Sequence, residues 1–239
     1  MISLLAAARL PRKALFLDID GTLLDFAPTP GGVSVPPGLA ARLRRLRDQL
    51  DGALAFVTGR AMADVDALFG DDFATAAEHG AFVRDGAGAL HQLARPVSAM
   101  GNWQAEMAVL VAAMPGVMLE PKRLGFTVHF RKAPAQAGVL HHALSRLVGT
   151  QAEILPANMA WEVRPPRAGK ERALAWFMGR APFAGRLPVF IGDDVTDEPA
   201  IGAAYDYGGV GLHVGHDFAG GPAAVRAWLT SLVRDTREG

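Results

Sequence analysis

Two aspartates one residue apart, Asp18 and Asp20, close the segment ALFLDIDGT, where an apolar run stops at Gly21-Thr22. Alternation puts both carboxylates on the same side of an extended chain. Like charges that close repel, and burying them without a counter-charge is costly. Other reactive groups also sit where apolar runs end: Thr58-Gly59-Arg60 after ALAFV, and Asp193-Asp194-Val-Thr-Asp197-Glu198 after LPVFIG. Lys170 opens the helical pattern that precedes the second of these runs. Capping of helix starts explains any one terminal Asp or Thr, but it does not explain the whole set. Clustered carboxylates without cysteine or histidine partners suit a hard divalent cation, and Mg²⁺ is the usual choice beside phosphate. Such a cation offsets the repulsion between the acids and lets one stay ionised as a nucleophile facing a phosphate dianion. Lys170 and Thr58 are then placed to bind the remaining phosphate oxygens and stabilise charge as the phosphoryl group moves.

These residues need a scaffold that gathers them. ALFLD and ALAFVTG read as buried strands, FATAAEHG as a weaker third, and AFVRDGAGALHQL as a hairpin turning at Asp85-Gly86. Between the first two, a Pro/Gly loop (FAPTPGGVSVPP) leads to Leu39, Leu43, Leu46 and Leu50 at helical spacing. The arginines Arg42, Arg44, Arg45 and Arg47 lie largely on the other faces of that helix and read as a solvated surface. From Pro96 the texture changes to helix, hairpin, helix, hairpin, an α+β pattern. From Lys170 the βα rhythm resumes, through LPVFIGDD, a helix at 197–204, YGGVGLHV and a last helix at 222–233. The pattern predicts a doubly wound α/β core with a parallel sheet, residues 1–95 and 166–239, interrupted by an inserted α+β lid, residues 96–165. In open α/β sheets ligands bind beyond the carboxyl ends of the strands, which is where the acids, Thr58 and Lys170 collect.

Composition narrows the class. The chain has 239 residues, half of them hydrophobic, with 24 acids and 24 bases, so nothing marks a polyanion-binding surface and no nucleic-acid partner is expected. The absence of cysteine excludes disulfides and thiolate metal sites. In MISLLAAARLPRK the positive charges follow the apolar run, the wrong order for a secretory signal, and Leu4 to Leu10 read as a short helix packed on the core. No run approaches the ~20 apolar residues of a membrane span. A cytoplasmic monomer with no membrane partner is the expectation.

The motifs DIDGT (18–22), VTGR (57–60), Lys170 and GDDVTD (192–197) resemble the four motifs of the haloacid-dehalogenase-like phosphatases. Further stretches, AEHGA (77–81), LEPK (119–122), HFR (129–131), EVRP (162–165) and GDDVTDE (192–198), are similar to the trehalose-6-phosphate phosphatases over most of the chain. The resemblance implies a haloacid-dehalogenase-like, Rossmann-like core. It also implies that Asp18 attacks phosphorus, and that Asp20 protonates the leaving sugar oxygen and then activates water. Asp18, the backbone carbonyl of Asp20 and Asp193 would hold Mg²⁺, with Asp194 and Asp197 supporting the metal or its waters. Glu120, Lys122, Arg131 and Glu162 would contact sugar hydroxyls and phosphate, and Gly21, Thr22, Gly59 and Arg60 complete the candidate substrate-binding set. The small-molecule partner implied is a sugar phosphate. Alternatives are a sucrose-phosphate or mannosyl-phosphoglycerate type phosphatase, a phosphomutase, or a catalytically silent regulatory subunit. The E-x-K and H-F-R stretches favour trehalose phosphate among the enzymes, and the presence of every motif acid favours an enzyme. Two positions depart from the family pattern: Glu171 follows Lys170 where Gly is usual, and Phe130 replaces a Tyr. Outside the motifs, His79 reads either as a polar group at the site mouth or as a packed turn residue. His141-His142 read as a surface pair, and Trp103, Trp161, Trp176 and Trp228 as core or lid packing, with Trp161, beside Glu162, the one that could touch a sugar face.

Overall fold

The computed structural model describes residues 2–9, 11–27, 32–166 and 168–233. The chain forms two compact units, one from the described residues up to His91 together with those from Gly169 onward, the other Gln92–Ala168.

The first unit is built on a seven-stranded sheet. Helix α1 (Ile2–Arg9) precedes β1 (Lys13–Leu17), and Leu10, expected at the helix end, lies outside the described residues. Residues 28–31 of the Pro/Gly loop lie outside them too. Then follow α2 (Leu39–Gln49), β2 (Leu54–Val57), α3 (Met62–Phe69), β3 (Ala74–Ala77), a 3-10 turn (Glu78–Gly80), β4 (Phe82–Arg84) and β5 (Leu90–Gln92). After the second unit the chain returns as α6 (Lys170–Met178), β10 (Leu187–Gly192), α7 (Glu198–Asp206), β11 (Val210–His213), α8 (Val214–Asp217) and α9 (Gly221–Leu232). The strand order is β11-β10-β1-β2-β3-β4-β5. β11, β10, β1, β2 and β3 are parallel, and β4 turns antiparallel to β3. The order therefore reverses between β1 and β10, the switch point at which doubly wound sheets open a crevice for ligands.

Strands buried on both faces need unbroken apolar runs, and β1 supplies one in Ala14 to Leu17, all fully buried. On one face Phe16 packs 5.9 Å from the Phe177 ring and 5.3 Å from Phe183. On the other, Leu15 and Leu17 join Leu43, Leu46, Phe56 and Phe69 in a continuous cluster. Helix α2 buries the leucines read from its period, and two of its arginines, Arg44 and Arg47, clamp Asp72 at 2.7–2.9 Å. The arginine-rich face thus serves a local ion-pair network.

The second unit is a four-stranded antiparallel sheet, β6 (Met118–Pro121), β7 (Phe126–His129), β9 (Ala160–Arg164) and β8 (Glu153–Ala157), with helices α4 (Met100–Ala112) and α5 (Ala137–Val148). Period-two alternation sorts its faces. Phe126, Val128 and Val163 point into a core with Trp103, Met107, Leu140 and Leu144 from the helices. The opposite parity carries Glu120, Thr127, His129, Glu162 and Arg164. No helix of the described residues is long and apolar enough to cross a membrane.

Phe16 is fully buried in β1 against the rings of Phe177 and Phe183. Phe16→Ala should therefore cost about 3–5 kcal/mol of unfolding free energy, the transfer term plus the cavity left behind. Urea denaturation followed by circular dichroism measures this, and a loss under 1 kcal/mol would show that the strand's surroundings collapse to fill the gap.

Candidate active site

Asp18 is the residue immediately after β1. Its N–H donates to the Ile191 carbonyl at 2.9 Å, which continues the β1–β10 ladder one step past the strand and fixes where the carboxylate emerges. The side chain is 4% exposed. Lys170, on the first residue of α6, is equally buried, and its ammonium lies 2.7 Å from Asp18 Oδ1 and 2.7 Å from Asp197 Oδ1. Asp197 has no exposure; its other oxygen accepts the backbone N–H groups of Asp193 and Asp194, each at 3.2 Å. Both of its oxygens are committed, so Asp197 acts as the bracket that binds the β10 exit loop to Lys170. Oxygens of Asp18, Asp193 and Asp197 all lie within 4.8 Å of one another.

Three carboxylates share one ammonium in this buried cluster. Burial raises the Asp18 pKa well above the usual carboxylate range, against the attraction of Lys170 and with help from Asp197 and Asp193. Burial and then the Asp197 charge push Asp193 up to about 6. Burial also opposes the charge on Lys170, but the two carboxylates outweigh it and hold that pKa above the ordinary lysine range. The excess of negative charge is a standing demand for a cation. An all-oxygen donor set with no nitrogen or sulfur is the chemistry a hard divalent ion takes, so the residues fit one.

Glycines make the crowding possible. Gly21 has φ +73°, and a Cβ there would run into the Asp193 carboxylate. At Gly192 a Cβ would strike the Asp197 side chain. Thr22 Oγ1 donates to Asp193 Oδ1 at 3.2 Å.

The Asp20 carboxylate leaves this cluster and takes a two-pronged contact from Arg60, Nε to Oδ2 at 2.7 Å and Nη2 to Oδ1 at 2.6 Å. Arg60, read as substrate-binding, is brought to the proposed acid/base. Thr58 is buried, and its hydroxyl accepts the Arg60 N–H at 3.2 Å, which tightens the loop after β2. A second clamp on this loop comes from Glu78-His79-Gly80, all three at positive φ, with N–H groups of Glu78 and His79 donating to the carbonyls of Arg60 and Thr58 at 2.9 Å. The His79 ring lies over Gly59, where no Cβ could fit. Of the two readings of His79, the structure takes the packed one: it is 6% exposed and shapes the loop. Asp194 is not among the three clustered acids; its Oδ1 accepts the Val195 N–H at 2.7 Å.

In the second unit, Lys122 Nζ contacts Glu162 Oε1 at 2.9 Å, and His129 Nε2 lies 2.6 Å from Glu120 Oε2. That hydrogen bond, against the opposing effect of burial, lowers the Glu120 pKa and keeps it ionised. Arg131 sits exposed in the turn after β7, outside the ladder that pairs Glu120 and Glu162 with Thr127, and Lys122 lies just past the end of β6. His129 carried no role in the sequence reading, although its parity with Thr127 along β7 placed it on the same face. Phe130 packs in the apolar core of this unit, 6.1 Å from the Trp161 ring, so the missing tyrosine hydroxyl falls on the side away from Glu120 and Glu162. Trp161 likewise points to the helices: its indole N–H donates to the Ala137 carbonyl at 2.9 Å and its ring lies 4.6 Å from His141. Trp161 is thus a packing residue, as read for the four tryptophans together, and alternation keeps it off the face that carries Glu162.

The sequence signature of the trehalose-phosphatase family matches residues 16–204. A probable trehalose-phosphate phosphatase of Sinorhizobium fredii is 42% identical over 207 residues, covering 84% of this chain and 77% of that protein. The trehalose-6-phosphate phosphatase of Escherichia coli is 36% identical over 207 residues, 85% of this chain and 78% of that one. The crystal structure of the Candida albicans trehalose-6-phosphate phosphatase C-terminal domain superposes with a TM-score of 0.82 over 97% of this chain and 95% of that chain; at 19% identity it speaks for the fold.

The Asp193 shift has a definite sign. Folded, it titrates at about 6, against about 3.9 in an unfolded chain. Between these values the folded state keeps a proton that the unfolded state has released, so this group's contribution falls as pH rises from about 4 to 6 and stays low above. In chelator, the stability of Asp193→Asn relative to wild type should therefore climb across that window by on the order of 1–3 kcal/mol and then level off. Denaturant midpoints at half-unit pH steps test this, and a difference that stays flat with pH would remove Asp193 from the buried cluster.

Proposed function

The chain belongs to the trehalose-phosphatase family and is a phosphoric monoester hydrolase, and from that premise we propose that it hydrolyses trehalose 6-phosphate to trehalose and phosphate through an aspartyl-phosphate on Asp18. The observation that carries this reading is the Lys170-braced carboxylate of Asp18 at the switch point of the sheet. Lys170 takes Asp18 Oδ1, which leaves Oδ2 to attack phosphorus and fixes its direction. Attack forms the Asp18 Oδ2–P bond and breaks the bond from phosphorus to the sugar oxygen. Asp20 gives its proton to that departing oxygen, then takes one from the water that attacks the aspartyl-phosphate, returning Asp18 and releasing phosphate. Arg60 engages both Asp20 oxygens in the free protein, so Asp20 gives up one of these contacts and takes up a proton before it serves as the acid, and the remaining contact keeps it in place. Asp18, Asp193 and the backbone carbonyl of Asp20 are the groups that would hold Mg²⁺, with Asp197 behind them. When bound, that ion would offset the repulsion of the acids and draw charge from the transferring phosphoryl group. Thr58, through its hydroxyl, and Gly59, through its backbone, line the loop assigned to phosphate oxygens.

Recognition of the sugar is assigned to the polar face of the second unit. Trehalose presents hydroxyls that need paired donors and acceptors, and Glu120, Lys122, Glu162 and Arg131 offer both kinds. Rejection of other sugar phosphates follows if those pairs are left incomplete by a sugar of different shape. Such an enzyme acts in the cytoplasm, where sugar phosphates are made.

Phosphate release from a panel of sugar phosphates, with Mg²⁺ and with chelator, tests the assignment. Trehalose 6-phosphate should be preferred, and chelator should abolish turnover until Mg²⁺ is restored. Asp18→Asn keeps the shape of the nucleophile but not its charge, so turnover should vanish while cooperative unfolding persists. Near-normal turnover in that variant would sink the covalent route.

A further inference from the structure

On the polar face of the second unit, register aligns Glu120, Thr127 and Glu162 as direct neighbours across β6, β7 and β9. Opposed residues in such a row stand about 5 Å apart at Cβ. Two long side chains flank one short one in that row. The flanking charges are engaged, Glu120 with His129 and Glu162 with Lys122. Thr127 is different. It is 4% exposed, and its Oγ1 is buried with no hydrogen-bond partner.

A buried hydroxyl without a partner lowers stability, and valine would fit the same β-branched shape at no such cost. Val128 and Val163 show that this sheet accepts valine beside it. A buried hydroxyl without a protein partner calls for an explanation, and a ligand group that reaches it once the flanking pairs rearrange is one. The chemistry of the row says which partner. Carboxylates only accept and an ammonium only donates, whereas a threonine hydroxyl does either. A sugar hydroxyl that donates to Glu120 or Glu162 still has an oxygen able to accept, and the Thr127 O–H is the neutral donor within the row. We propose that Thr127 is a specificity-determining residue whose hydroxyl bonds a hydroxyl group of the bound sugar; this rests on the sugar-phosphatase reading above and assigns it a contact that the sequence motifs do not contain.

The test pairs function with stability, because the two should move in opposite directions. Thr127→Val removes the hydroxyl and keeps the volume. kcat/KM for trehalose 6-phosphate should fall about tenfold, equivalent to about 1.4 kcal/mol, mostly through KM. Hydrolysis of p-nitrophenyl phosphate, which has no sugar, should stay within twofold. The melting temperature of the unliganded variant should equal or exceed that of wild type by a few degrees, and the upward shift produced by added trehalose should shrink. Thr127→Ser, which keeps the hydroxyl, should retain most of the sugar-dependent activity. The proposal is overturned if Thr127→Val keeps full kcat/KM on the sugar substrate. It is also overturned if both substrates decline together, or if the unliganded variant melts lower, since the hydroxyl would then serve the fold. If wild type prefers another sugar phosphate, the substrate assignment fails by itself, and the same Val and Ser comparison on the preferred ester still decides Thr127.

Discussion

The ammonium of Lys170 holds the site together. It lies between Asp18 and Asp197 at 2.7 Å from each, out of solvent, and it ties the end of β1, the start of α6 and the loop after β10 into one knot. A buried charge must be balanced where it stands, and breaking such a pair by removing one partner leaves an uncompensated charge that costs several kcal/mol. The same knot is incomplete: three acids meet one base, and the remaining negative charge is what a divalent cation would offset. Stability and chemistry therefore draw on one electrostatic arrangement. Without a cation, burial and mutual repulsion hold the Asp18 and Asp193 carboxyls above the usual carboxylate range.

Backbone shape makes that density of charge attainable. Gly21 and Gly192 let the Asp193 and Asp197 side chains approach where a Cβ would collide. Around the neighbouring loop, Glu78 and His79 adopt left-handed conformations that cost non-glycine residues energy. Their N–H groups repay it by pinning the carbonyls of Thr58 and Arg60, and the His79 ring seals the loop from above. Arg60 is thereby delivered to Asp20 with both prongs engaged. The strain belongs to the segment that pins the loop carrying Arg60.

The second unit solves a different problem by simpler means. An antiparallel sheet with helices on one face needs apolar residues only on that face, so the other is free to carry chemistry. Here it carries polar side chains held in hydrogen-bonded pairs, Glu120 with His129 and Lys122 with Glu162. The fold contributes rows; the side-chain lengths within a row decide what shape a ligand meets.

Much of this was written in the sequence. The apolar runs ending in Asp18, Thr58 and Asp193 announced strands and their functional ends, since a chain buried on both faces has to be continuously apolar until it emerges. The switch from βα rhythm to paired hairpins near Pro96 marked a second unit, whereas the two carboxylates that alternation put on one side part company in the structure, Asp18 to Lys170 and Asp20 to Arg60. Other features arose only in three dimensions. That Asp197 reaches the heart of the cluster while Asp194 turns to its own loop depends on the path of the chain after β10, which residue order leaves open. That Arg60 meets Asp20 depends on two loops 40 residues apart being set side by side by β1 and β2. Trp161 and Glu162 were adjacent letters until a sheet sent them to opposite faces, and Thr127 became a buried hydroxyl only when β6 and β9 closed on either side of it. Local pattern determines what each segment can be, because propensity and alternation act over a few residues. Which side chains share a charge is decided by packing, because that energy exists only between segments brought together.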